Sequence, residues 1–332
     1  MKLSVIILCW NDLQVIGDCL QSIYAGTHST EFEVIVSDNG SSDGSVEYIR
    51  SHFPQVHIIE NGRNLRFAKG NNVGIRASQG EYILILNPDT IIHDGALDKM
   101  VVFADQHPEA GALSCQVLNL DGSYQEHVRP LPTIRTEWMG TLRLGLLSRL
   151  SDWFNPGIYV GWKGEGERTV GWLAGCFILF RADLLKRLGG FDEQFFYYYE
   201  DTDLCRRVWD AGFQVLYTSA INITHLKGHS TKLRFPLGFE LDKYVTRYRY
   251  FYKCDGPRGA RRCRWVSLAW LLSRRVGLSL MQLAKATEER KLRLQLYKVS
   301  MKWNLLVDPV RLVENGEEPE LGMKLTDRVL ER

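Results

Sequence analysis

Through the first third of the chain, short runs of consecutive apolar residues alternate with stretches whose apolar positions recur at helical spacing. Leu3–Cys9, Phe32–Ser37, Val56–Glu60 and Tyr82–Leu86 read as strands, with another near Gly111–Leu118. Leu13–Tyr24, Ser45–Ser51, Ala68–Ala77 and Gly95–Gln106 read as the helices between them. Strands that are continuously apolar and separated by helices predict an α/β fold, a mostly parallel sheet with helices on both faces. Ligands of such sheets gather at the carboxyl ends of the strands, in the loops that lead to helices. From Pro130 to about Gly171 the pattern dissolves into Pro, Gly, Trp and Arg, a stretch long enough to be a lid or an acceptor-binding segment. Order resumes with a strand over Trp172–Phe180, a turn at Leu184–Leu188 and a helix over Thr202–Ala211 closed by Gly212. Short strands follow near Gln214–Thr218 and Asn222–His225. Beyond Pro236 the chain reads as helical, aromatic and basic to about Leu306, and its last 20 residues read as loosely held.

Composition changes this picture in one respect. The 332 residues suffice for one large or two modest domains, and 45% hydrophobic with 24% charged residues is ordinary for a globular protein. The net charge of +2 hides an asymmetry, because residues 241–332 carry 20 Lys and Arg against 11 Asp and Glu, leaving 21 against 28 in the rest. An acidic body that meets cations and a basic tail that meets anions are the expectation. Nucleic acid is a poor partner for so acidic a body. The seven cysteines are scattered without Cys-x-x-Cys spacing, which argues against a disulfide framework or structural zinc and favours a reducing compartment. The opening apolar run is too short for a signal peptide, and Arg274-Arg275 interrupts the best membrane-spanning candidate, Trp265–Ala284. A cytoplasmic protein, peripheral at the inner face of the cell membrane, is expected.

Candidate chemistry falls at the strand ends. Asp38 closes the second strand, where its carboxylate can accept from a pyrimidine imide N–H. Asn64-Leu65-Arg66-Phe67-Ala68-Lys69-Gly70-Asn71-Asn72 opens a helix with amides, a lysine and glycine, a lining suited to an anionic, oxygen-rich ligand. In Asn87-Pro88-Asp89 the proline ends a strand and aims Asp89 into the cleft; one aspartate beside a diphosphate suits Mg2+ or Mn2+. His225 or His229 ends a later strand and is available to the same ion. In Gly189-Gly190-Phe191-Asp192-Glu193…Glu200-Asp201-Thr202-Asp203-Leu204, an aromatic block stands directly before three carboxylates at a helix start. Burial there raises a carboxylate towards the range of a useful general base.

Together these motifs, in this order over roughly residues 3–230, resemble an inverting glycosyltransferase of family 2, of the bacterial rhamnosyltransferase-like kind, with a GT-A fold. The resemblance implies a catalytic domain over 1–235, with a nucleotide-sugar-binding half (1–120) and an acceptor or catalytic half (121–235). A helical, basic region (236–332) follows, suited to a membrane surface. It further implies a dTDP- or UDP-linked sugar donor held by Asn11, Asp38, Lys69, Asn72 and Asn87, and Mg2+ or Mn2+ at Asp89 and His225. The first aspartate of the family's Asp-x-Asp motif is replaced here by Asn87. Asp201, with Glu200, matches the catalytic base, and Trp172 and Gly175 lie on the acceptor side. One base with no nucleophile on the opposite face implies single displacement with inversion. The expected reaction moves rhamnose from dTDP-rhamnose to a lipid-linked or cell-surface polysaccharide precursor. A UDP-linked hexose, GlcNAc or galactofuranose donor, or a catalytically silent nucleotide-sugar-binding protein, are the alternatives.

Overall fold

A computed structural model describes residues 1–148, 151–195, 198–226, 238–284 and 287–316. The first strands and helices fall where the apolar runs place them: β1 (Leu3–Cys9), α1 (Leu13–Gly26), β2 (Phe32–Asp38), α2 (Ser45–His52), β3 (His57–Glu60), α3 (Arg66–Ala77) and β4 (Tyr82–Leu86). A short β5 (Thr90–Ile92), α4 (Ala96–Gln106) and β6 (Ala110–Leu118) follow. β1 to β4 are parallel, with β1 between β2 and β4; its residues are apolar except Ser4, and all but Leu8 are buried. The close seat of α3 on β1 depends on two glycines. A Cβ at Gly70 would stand 2.3 Å from Leu8 Cδ1, and one at Gly74 would stand 2.5 Å from Ile6 Cγ2.

The second half of the sheet is where the sequence pattern and the structure part. The single strand expected over Trp172–Phe180 is two. After β7 (Val128–Arg129), α5 (Ile134–Thr141) and β8 (Glu167–Thr169), a two-residue β9 (Trp172–Leu173) pairs with β7 in a separate ribbon. The chain then turns at Gly175 into β10 (Phe177–Arg181), which inserts antiparallel between β4 and β6. The Leu184–Leu188 turn is a short helix, α6 (Ala182–Arg187), and the acidic helix α7 runs from Glu200 to Asp210. The two strands expected after it are one, β11 (Gln214–His225), with an irregularity between Thr218 and Asn222 where Ser219 N–H leaves the ladder for Gly166 O (3.1 Å). The full order is β3-β2-β1-β4-β10-β6-β11-β5, with β8 on β11. Because β10 is antiparallel, its start shares an edge with the ends of β1, β2, β4 and β11.

The described residues form two compact units. One comprises 1–131, 161–195 and 200–226; the other comprises those between 132 and 160, Tyr198–Tyr199, and those from 238 to 316. Part of the Pro130–Gly171 stretch therefore groups with the C-terminal helices, and it contains α5, capped by a reciprocal Thr133–Thr136 box. In the second unit α8 (Gly238–Ala284) packs against α9 (Glu288–Leu306) and α10 (Pro309–Glu314). Non-helical backbone at Asp255 and Gly256, just before Pro257, breaks α8 into two, as a ring without an N–H requires. Tyr248 lies flat against Trp303 and hydrogen-bonds Asn304. The half-buried Glu137 carboxylate pairs with Arg247 and accepts from Tyr199 Oη at 3.1 Å. Most of the 20-residue tail, from 317 onward, lies outside the described residues, as does His229.

Candidate active site

Each strand of the shared edge contributes one polar group. At the end of β2, Asp38 is 2% exposed, and its Oδ2 accepts from Gly40 N–H (2.9 Å) and Ser41 N–H (3.0 Å). Its Oδ1 is buried and accepts no hydrogen bond among the described residues. A buried acceptor left open is costly, and a ligand N–H offsets that cost. At the end of β1, Asn11 adopts the left-handed conformation (φ 57°), and its Oδ1 accepts from Ser42 N–H at 2.7 Å. This ties the loop after β1 to the loop after β2 and frames the space beside Asp38.

The α3 residues are used unequally. Lys69 is exposed. Asn72 is buried and spends its amide on the chain itself: Oδ1 accepts from Phe191 N–H (2.9 Å), and Nδ2 donates to Phe191 O (2.8 Å) and Glu193 Oε1 (3.1 Å). The structure thus gives Asn72 a clamping position rather than an open polar face. The glycine pair serves that clamp. Gly190 has φ 72°, and a Cβ there would stand 2.4 Å from Asn72 Oδ1.

At the end of β4, Asn87 N–H donates to Cys176 O (3.1 Å), and Asp89 O accepts from Leu226 N–H (2.8 Å), pinning the Asn-Pro-Asp turn to β10 and β11. Asp89, 4% exposed, brings Oδ1 to 3.1 Å from His225 Nε2, yet that oxygen accepts no hydrogen bond among the described residues. The His225 ring nitrogens face Gln125 Oε1 (2.7 Å) and Asn87 Nδ2 (3.3 Å). A buried carboxylate oxygen and an imidazole nitrogen converging without a hydrogen bond are a donor set that fits a small divalent ion completed by phosphate and water. No larger His, Cys, Asp or Glu cluster suited to a metal occurs among the described residues.

Across the edge, α7 begins with Glu200 and Asp201. Asp201 Oδ2 accepts from Gly175 N–H (3.2 Å), and Oδ1 accepts from Thr202 N–H (2.6 Å) and Thr202 Oγ1 (3.2 Å). Burial lifts the Asp201 carboxyl above its ordinary range, and these N–H groups oppose the lift. Burial lifts Glu200 too, and the charge of Asp201 lifts it further. Glu200 Oε2 is buried with no hydrogen bond among the described residues. Both carboxyls are thus raised, while the N–H groups on Asp201 favour its charged form and Glu200 has none on Oε2, an asymmetry of the kind that lets one carboxylate act as a base. Of the aromatic block before them, Phe195 is buried and Tyr198 exposed, while Phe196 and Tyr197 lie outside the described residues.

Gly175 sits where β9 gives way to β10. A Cβ there would stand 2.7 Å from Phe67 Cζ, so its lack of a side chain lets its N–H reach Asp201. Phe67 in turn meets the edge of Phe191 at 5.6 Å. Trp172, in β9 and paired with Arg129, is half-buried on the same side. Cys176 is buried and its thiol is pushed up to about 12, an inert group. Sequence reasoning missed Gln125, Phe67 and the Ser41–Ser42 wrap around Asn11. Gln125 belongs to no recognisable motif, and Phe67, though inside the Asn64–Asn72 motif, has no polar group to mark it; only the fold brings them to the edge.

The chain is similar to known proteins. The family model described as glycosyl transferase family 2 matches residues 4–189. The chain is 32% identical over 211 residues to the N-acetylglucosaminyl-diphospho-decaprenol L-rhamnosyltransferase of Mycobacterium tuberculosis (strain ATCC 25618 / H37Rv), covering 60% of this chain and 67% of that protein. It is 27% identical over 216 residues to the rhamnosyltransferase WbbL of Escherichia coli (strain K12), covering 63% and 78%. Among solved structures, S. aureus TarS 1–349 in complex with UDP-GlcNAc superposes with a TM-score of 0.54 at 18% identity, covering 95% of this chain and 91% of that one. The mannosyltransferase PcManGT of Pyrobaculum calidifontis, in complex with GDP-Man and Mn2+, gives 0.53 at 16%, covering 92% and 87%. The fold is that of the GT-A glycosyltransferases, and the chain belongs to glycosyl transferase family 2.

Proposed function

We propose that this glycosyltransferase moves rhamnose from dTDP-rhamnose onto a polyprenyl-linked saccharide, with inversion, during assembly of a cell-surface polysaccharide. The observation that carries the reaction class is the buried carboxylate pair at the start of α7, with Asp201 held by the Gly175 and Thr202 N–H groups, at the same sheet edge as the convergent Asp89 and His225. The sugar and acceptor classes are supported by the rhamnosyltransferases among the relatives, one of which is named for a decaprenyl-diphosphate acceptor. The open Oδ1 of Asp38 suits the imide N–H that thymine and uracil share, so a UDP-linked donor is the second reading, supported by the UDP-GlcNAc complex of TarS. Asn11 frames the base site, Lys69 and Asn87 meet the diphosphate side, and Trp172 and Gly175 flank the acceptor.

Asp201 takes the proton of the incoming hydroxyl as its oxygen bonds to the anomeric carbon. The bond from that carbon to the diphosphate breaks, and its electron pair leaves with the nucleotide. Gly175 and Thr202 N–H groups orient the carboxylate and keep it ionised against the cost of burial. Asp89 and His225 would hold a divalent ion, which would supply the positive charge that offsets the charge of the leaving diphosphate.

The exposed surface supports action at a membrane. Apart from Met1, Leu13, Val102 and Leu120, the exposed large hydrophobic side chains among the described residues belong to the second unit. On α8, Trp265, Leu272, Val276 and Leu280 recur at spacings of seven and four, hence on one helical face, with exposed Arg258, Arg261 and Arg262 beside its start. No helix among the described residues is long and apolar enough to cross a membrane.

The test is transfer from dTDP-rhamnose and from UDP-linked sugars to a polyprenyl-diphosphate-GlcNAc acceptor, with Mn2+ or with chelator, for the wild type and Asp201→Asn. Metal-dependent rhamnosyl transfer by the wild type is expected. The variant should lose at least about 100-fold in rate, as befits a missing general base, with dTDP affinity kept within a few-fold. Transfer only from a UDP-sugar would replace the donor, and an active Asp201→Asn would remove the base.

A further inference from the structure

The short hairpin after β6 holds a side chain that the reaction described above leaves unused. Gln125 is 4% exposed, and its amide orientation is fixed by what surrounds it. Its Nε2 donates to Asn119 Oδ1 (2.8 Å) and to the backbone oxygen of His225 (3.2 Å). Both are acceptors, so the amide cannot be reversed without placing oxygen against oxygen. Its Oε1 is thereby committed to His225 Nδ1, at 2.7 Å. A carbonyl oxygen only accepts, so Nδ1 carries the proton, and a neutral imidazole protonated at Nδ1 has its lone pair at Nε2. Asn87 Nδ2, a donor 3.3 Å from Nε2, agrees with that tautomer. So does Asp89 Oδ1, which stands 3.1 Å away without accepting a hydrogen bond. Two acceptors side by side repel each other, and a cation relieves them.

We propose that Gln125 is a positioning residue for the cation site, setting the tautomer and ring plane of His225 so that Nε2 presents its lone pair beside Asp89. This rests on reading Asp89 and His225 as the metal pair. The relay is anchored at every step. Asn119 Nδ2 donates to Ser123 Oγ (2.9 Å), its N–H donates to Ser123 O (2.8 Å), and Gln125 N–H returns to Val117 O (2.8 Å). Its root is β6, and β6 pairs directly with the end of β11, Leu118 opposite Thr224, next to His225. Gln125 and His225 are therefore each tied to one of two adjacent strands, β6 and β11, which holds the ring plane before any ion arrives. An outer partner of this kind usually governs metal affinity rather than folding.

The test uses the full chain and Mn2+ alone as the probe, followed by the resonance of free Mn2+, for the wild type, Gln125→Leu and Gln125→Glu. Gln125→Leu should bind Mn2+ about 10–100-fold more weakly. Gln125→Glu keeps an oxygen acceptor for Nδ1–H but sets its second oxygen against Asn119 Oδ1 and the His225 carbonyl, so it should regain only part of that loss. In metal-free wild type, above the ordinary imidazole range, 15N spectra should show the Nδ1–H tautomer for the signal that disappears in His225→Gln. That spectrum needs no Gln125 variant and so stands even if Gln125→Leu fails to fold. The Nε2–H tautomer in the wild type, or equal Mn2+ affinity in wild type and Gln125→Leu, would overturn the proposal alone. Absence of Mn2+ uptake by the wild type would overturn the cation reading and the proposal with it.

Discussion

At the scale of single residues, the raised carboxyl of Glu200 has a thermodynamic signature. Glu200 is buried, its Oε2 lacks a hydrogen bond, and burial followed by the neighbouring charge of Asp201 raises its carboxyl above the ordinary range. A carboxyl whose folded value is raised binds a proton in the native state where the unfolded chain has released it. Stability is therefore greatest below the unfolded value and is lost as pH rises through the folded one. Glu200→Gln removes that loss. The variant should be more stable than the wild type at alkaline pH by on the order of 1 kcal/mol, roughly 2–4 °C for a domain of this size. The difference should vanish below the ordinary glutamate value of about 4.3. Thermal melts at both pH values check this, and an offset that does not change with pH would show that Glu200 is not raised. The place of Asp201 was legible in the sequence from its motif. Its ionised state was not, because that depends on N–H groups from Gly175, twenty-six positions away, and from Thr202.

At the scale of elements, the presentation of α7 is a matter of fitted turns. Asp203, 2% exposed, pairs with Arg207 Nε at 2.8 Å, and Arg207 donates to Leu188 O (2.8 Å) and Gly190 O (2.9 Å). The third carboxylate of the acidic run thus ties the helix to the glycine turn. Tyr198 and Tyr199 reach the helix start in the left-handed conformation, at φ 63° and 68°. Such backbone costs of order 1 kcal/mol per residue and persists where its surroundings require it. Gly175 is the tightest of these fits. Gly175→Ala places a methyl 2.7 Å from Phe67 Cζ, which must move from the edge of Phe191 or push the 175 N–H away from Asp201. The expected result is a destabilisation of about 1–3 kcal/mol. The turnover should fall by at least about tenfold with nucleotide affinity unchanged, since the orientation of the base is disturbed and the Asp38 side is not. Loss of nucleotide affinity in parallel with turnover would place Gly175 on the donor side instead.

At the scale of the whole molecule, charge and apolar surface are distributed by unit. The strand-and-helix unit carries the carboxylates of the site, and the helical unit carries the exposed arginines beside exposed Trp265, Leu272, Val276 and Leu280. Clustered cations near an anionic leaflet contribute about 1 kcal/mol each, a term that falls with salt. The protein should sediment with vesicles of anionic lipid, stay in solution with neutral ones and be released by high salt. Trp265→Glu combined with Leu272→Glu should weaken that sedimentation by at least about tenfold, since each change removes apolar contact and adds repulsion. Equal recovery with neutral and anionic vesicles would leave the face without a membrane role.

The sequence alone determined the strands β1 to β4, their parallel order with intervening helices, and the positions of Asp38, Asp89 and Asp201. Those features are local: apolar runs, turn chemistry and helix starts are written in neighbouring residues. Tertiary structure alone decided how the second half of the sheet is assembled. Trp172–Phe180 divides because Gly175 turns the chain from a two-strand ribbon into a place between β4 and β6, a pairing that no local pattern encodes. It also decided that Asn72 clamps Phe191 and that Gln125 faces His225. Those partners stand about a hundred positions apart in the chain, and only the closing of the sheet brings a hydrogen-bond donor to its acceptor.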